Sequence, residues 1–65
     1  MNLNEFKDLK RGDLVGFSNV QDFGKKISGQ GNVYGFGRIG FTDIVWVSMA
    51  DGYTRGLPYE EIKKL

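Results

Sequence analysis

The sequence predicts a mainly β domain, a small barrel of short strands. Three observations point there: ten glycines against a single proline, nine aromatic residues beside five valines, and an Asp51-Gly52 pair set between two strand-like runs. Sixty-five residues hold one domain and leave no room for a second. Ordering them costs on the order of 100 kcal/mol, so most of the 40% hydrophobic residues are needed for burial.

The elements follow in order. Over residues 1–11, Leu3, Phe6 and Leu9 recur at three-residue spacing, and Asn2 with Glu5 has the spacing of a capping box; together they predict a short amphipathic helix. Lys10-Arg11-Gly12-Asp13 is a turn that releases the chain into a first strand, Leu14-Val15-Gly16-Phe17-Ser18. Residues 19–32 are polar and glycine-rich around Val20, Phe23 and Ile27, and predict a long flexible loop. Two longer strand-like runs, Val33 to Phe41 and Ile44 to Ala50, lead through Asp51-Gly52 into Tyr53-Thr54-Arg55-Gly56-Leu57 as a meander. Residues 58–65 begin with Pro58, carry acids early and lysines late, and predict a closing helical turn.

Composition excludes several kinds of function. Without cysteine or histidine there are no disulfides, no thiolate chemistry, no Cys-ligated zinc and no imidazole base, so the expectation is a protein that is not an enzyme and needs no cofactor or metal. No apolar run approaches the roughly 20 residues of a membrane span, and Met1 to Glu5 lacks the features of a signal peptide. These features predict a cytoplasmic protein without a membrane partner. A net charge of +1 is far from that of a protein that wraps a polyanion, so any nucleic-acid contact would be a local patch.

The order of these parts resembles SH3-like small barrels of the KOW and Tudor type. The residues that carry the likeness run from Leu9 to Ile62: the Gly12-Asp13 turn, Val15, the long first loop, Gly37-Arg38-Ile39, Val45 and Val47, the Asp-Gly turn, and Leu57-Pro58 followed by acids and Ile62. That resemblance implies a five-stranded SH3-like barrel serving as a binding module.

Gly35-Phe36-Gly37-Arg38-Ile39-Gly40 spells the dinucleotide fingerprint, but a strand follows it where the fingerprint needs a helix. Tyr34 to Phe41 is similar at six of eight positions to an RNA-binding signature, and to the Gly-Phe-Gly strand of cold-shock domains. Tyr34 replaces the leading basic residue and Arg38 a stacking ring, although a guanidinium plane also stacks on bases.

Strand alternation puts Val33, Gly35, Gly37 and Ile39 on one face and Tyr34, Phe36 and Arg38 on the other. A three-residue loop at Phe41-Thr42-Asp43 then pairs Ile39 with Val45 and Arg38 with Trp46, and forms an outward cluster of Tyr34, Phe36, Arg38 and Trp46. Lys25, Lys26 and Arg55 are expected to converge with Arg38 on one rim. The Asp51-Gly52 hairpin leaves Trp46 open: a two-residue turn opposes it to Leu57, whereas a bulged turn opposes Val45 to Leu57. The expected partner is a protein bound on the aromatic face, the alternative a single-stranded nucleic acid.

Overall fold

A computed structural model describes residues 1–22 and 24–65. Helix α1 (Leu3–Asp8) is followed by strands β1 (Leu14–Asp22), β2 (Lys25–Ile39), β3 (Thr42–Met49) and β4 (Thr54–Pro58), a 3₁₀ turn (Tyr59–Glu61) and β5 (Ile62–Lys64). All pairings are antiparallel and the five strands form one sheet in the order β4-β3-β2-β1-β5. The sheet is mainly β as expected, but it does not close: among the described residues no pairing joins β4 to β5, so a barrel is not established.

The helix forms where its cap predicts. Glu5 N donates to Asn2 Oδ1 at 2.8 Å and Asn2 N donates to Glu5 Oε1 at 3.0 Å, so each side chain satisfies an amide that the first turn leaves open. Leu9, just past the helix, is buried and Phe6 packs on the core, whereas Leu3 is exposed.

The largest departure from the sequence reading lies at residues 19–32, which are strand rather than flexible loop. β1 continues to Asp22 and β2 starts at Lys25, with Gly24 at φ 81° in the turn between them. The expectation for Phe23 lies outside the described residues. What hid the strand is a bulge: Phe17 opposes Gly29 and Val20 opposes Ile27, so one more residue stands on β1 than on β2. Asn19 takes the left-handed conformation there, φ 55°, and its N–H donates to Ser28 Oγ at 3.1 Å. The extra residue breaks the period-2 pattern, and the segment resembles a loop.

The second departure is at the C-terminus, where the helical turn shrinks to Tyr59–Glu61 and Ile62 turns into β5, pairing with Phe17. A one-residue apolar insertion wins over the helical pattern because Ile62 becomes fully buried on the core.

β2 is the spine. Lys25 to Asn32 pair with β1, and Gly31 to Ile39 pair with β3, so the strand belongs to both halves of the sheet. The crossover needs glycine: a Cβ on Gly31 would stand 2.3 Å from the Ser48 carbonyl oxygen and 2.8 Å from Val47 Cγ1. The two halves share one core, built from Leu9, Val15, Phe17, Val20, Val33, Val45, Val47, Leu57 and Ile62.

Candidate aromatic groove on the β2–β3–β4 half

Two turns fix the register of the half that carries the aromatic residues. Ile39 opposes Thr42, so the β2–β3 connection is the two residues Gly40-Phe41, with Gly40 at φ 63° in the first position, where a type II′ turn demands glycine. This overturns the three-residue loop at Phe41-Thr42-Asp43. Arg38 now opposes Asp43 and bonds it, Nε to Oδ1 at 3.3 Å, instead of approaching Trp46. In the second turn, Met49 N donates to Tyr53 O at 2.8 Å around Ala50-Asp51-Gly52, with Gly52 at φ 89° and Tyr53 N held by Asp51 Oδ1 at 3.0 Å. Of the two expected arrangements this is the bulged one, with Val45 opposite Leu57 and Trp46 opposite Gly56.

Trp46 is therefore outside the core cluster, and 37% of its surface is exposed. Glycines on both neighbouring strands receive it. A Cβ at Gly56 would lie 2.7 to 3.0 Å from Cζ3, Cη2 and Cε3 of the indole, and one at Gly37 would lie 3.0 Å from Nε1. The ring spans three strands, its six-membered end toward β4 and its N–H end toward β2. Stacking an aromatic ring on strand glycines returns the apolar contact those glycines lack.

A second bulge breaks the parity expected on β2. Val33 opposes Val47 but Gly35 opposes Trp46, leaving Tyr34 as the extra residue. Beyond it Phe36 opposes the fully buried Val45 and meets Phe6 edge-on at 6.0 Å, while Phe6 stacks on Tyr59 at 4.7 Å. The Tyr34, Phe36 and Arg38 face thus does not coincide with the Trp46 face as alternation alone requires, and Ile39, expected inward, is exposed.

Tyr34, Phe36 and Trp46 nonetheless meet. Together with Gly35, Arg11 and Thr54 they line one open concavity of about 490 Å³. Tyr34 is 68% exposed and Phe36 42%, so the rings are accessible at its walls. Arg11 arrives because the preceding turn is pinned to β2: Gly12 N donates to Val33 O at 2.8 Å, Val33 N to Asp13 O at 2.9 Å, and Asn32 Nδ2 to Gly12 O at 3.0 Å. Sequence reasoning missed Arg11 and Thr54. The available signal was the Gly12-Asp13 turn for the first and the glycines facing Trp46 for the second.

The expected basic rim is dispersed. Lys25 and Lys26 lie at the β1–β2 end of the spine, ten residues of strand before Gly35, or roughly 30 Å of contour. Arg38 is held by Asp43 near the opposite hairpin tip. Arg55 opposes Val47, pairs with Asp51 at 3.7 Å and lies over the Tyr53 ring at 5.8 Å. No protein-family model matches the chain, and comparisons with curated proteins and with solved structures return no match.

Proposed function

We propose that this chain is a non-catalytic binding module of SH3-like architecture that recognises an extended protein segment in the groove bordered by Tyr34, Phe36 and Trp46. The strand order, the 3₁₀ turn between β4 and β5 and the spine shared by two half-sheets support the architectural part of the reading. The observation that carries the functional part is the convergence of three accessible aromatic side chains with one guanidinium and one hydroxyl around a single concavity. Rings give a segment apolar area at small entropic cost, while Arg11 and Thr54 supply direction, the guanidinium favouring a carboxylate.

A protein segment is favoured over single-stranded nucleic acid because, among the described residues, Arg11 is the one cation that lines the groove with the rings. A nucleic-acid strand is held by a run of cations that tracks its backbone, and Lys25, Lys26, Arg38 and Arg55 lie away from the groove lining or are engaged with acids.

The test is a selection from a displayed library of random twelve-residue peptides, followed by calorimetric titration of a selected peptide into the chain and its variants, with an oligothymidylate titration alongside at low and high salt. The reading expects a saturable peptide signal and at least a roughly tenfold loss of affinity in Tyr34→Ala and in Trp46→Ala with the circular dichroism of the folded chain retained. An oligothymidylate signal that collapses with salt, with no peptide competing at the groove, would contradict it.

A further inference from the structure

The two terminal strands of the sheet end differently. β5 is three residues long and two of them are lysines, a pattern that discourages another strand from adding. β4 (Thr54–Pro58) is guarded only at its end, by Pro58, which leaves the Thr54 and Gly56 positions open. The Met49–Tyr53 hydrogen bond sets the alternation of the β3–β4 ladder, so the backbones of Tyr53, Arg55 and Leu57 face β3 while those of Thr54 and Gly56 face outward. The charge on this strand is drawn aside, since Arg55 is engaged with Asp51 and Tyr53. Gly56 carries no side chain, and the six-membered ring of Trp46 lies over it, partly open to water.

We propose that the occupant of this edge is a second copy of the chain, paired antiparallel through β4 about a twofold axis at Gly56. That register is selected by the residues themselves. With Gly56 opposite Gly56 of the second copy, the two glycines exchange both N–H···O bonds, and each Thr54 N–H meets the Pro58 carbonyl of the other copy. Arg55 then faces Leu57 of the second copy. Centring on Arg55 instead sets like charges opposite each other, and centring on Leu57 leaves only the two bonds from Gly56 N–H to the Pro58 carbonyl, because Pro58 has no N–H to return, against the four bonds of the glycine register. Opposite residues of an antiparallel pair share a face, so the two Trp46 rings reach toward each other over the glycine pair and shield the six-membered ends that lie over Gly56. A net charge of +1 per chain opposes this little. The pairing goes beyond the peptide-binding reading and sets two grooves on one continuous ten-stranded sheet.

The test uses the full chain, by sedimentation equilibrium from about 1 µM to about 1 mM with amide exchange of Gly56 followed by NMR over the same range. The expected result is a mass rising from 7.3 kDa toward twice that value, with Gly56 exchange slowing at least about tenfold as it rises. Thr54→Pro removes an outward N–H without breaking the β3 ladder, and should hold the chain monomeric with Gly56 exchange fast at every concentration. A wild-type chain that stays monomeric, or a dimer whose formation leaves Gly56 exchange unchanged, overturns the proposal even where Thr54→Pro proves unable to fold. Peptide binding by a monomer would leave the groove reading standing while the dimer fails.

Discussion

The halves on either side of the β2 spine use their outward surfaces in opposite ways. On the β1–β5 half, the strand ends are polar and basic, with Lys25 and Lys26 at the hairpin end and Lys63 and Lys64 on the edge, while Val15, Phe17, Val20 and Ile62 face the shared core. On the β3–β4 half, Val45, Val47 and Leu57 face that core, but the other face carries the only tryptophan, seated on glycines of both neighbours. A small β domain can thus keep its largest side chain outside the core. Branched aliphatics of modest size fill the space between the half-sheets, and the tryptophan is stabilised locally by bare backbone.

The largest effect that would break this comparison is at the spine. Gly31→Ala puts a Cβ against the backbone of Ser48, which cannot swing away, so a loss of about 3 kcal/mol in urea-unfolding stability is expected; Gly35→Ala, with open space around it, should stay within about 0.5 kcal/mol. Equal effects at the two sites would mean that the close approach of β2 and β3 does not constrain the fold.

Gly56→Ala meets a side chain rather than backbone, and the indole can shift. A smaller loss is expected, about 1–2 kcal/mol, with a change in tryptophan emission, and most of it should vanish in a Trp46→Leu background. Independent effects in that double-mutant cycle would show that the ring does not rest on Gly56.

On the other half, Asn19 holds the β1 bulge at positive φ. Asn19→Ala should cost about 1 kcal/mol, and Asn19→Gly should be neutral or slightly stabilising by thermal melting. The smallest effect belongs to the exposed Arg38–Asp43 pair, where Arg38→Ala should change stability by no more than about 0.5 kcal/mol.

Much of the fold was legible from local chemistry. The capping box of Asn2 and Glu5, the turn at Gly12-Asp13 and the hairpin at Asp51-Gly52 each depend on residues adjacent in sequence, and each stands where those residues require. Failures cluster at the bulges. One inserted residue at Ser18-Asn19 turned two strands into an apparent loop, and another at Tyr34 reversed the expected parity of Phe36 and Arg38. A period-2 reading has no means of registering an unpaired residue, because the bulge is defined by the partner strand.

The candidate site was legible by composition and not by geometry. Tyr34, Phe36 and Trp46 do border one groove, but they meet through the Tyr34 bulge and a glycine bed, and Arg38 and the lysines are elsewhere. Arg11 was invisible because its position depends on backbone bonds between the first turn and Val33, twenty residues apart in sequence.

Acrylamide quenching of the intrinsic fluorescence tests most directly whether the indole lies outside the core, because Trp46 is the sole tryptophan. The quenching constant expected for the folded chain lies between that of the urea-unfolded chain and that of a fully shielded indole, and falls when a bound peptide covers the groove. A blue-shifted emission that resists acrylamide in the free folded monomer, at concentrations too low for pairing, would place the ring inside and contradict its position outside the core.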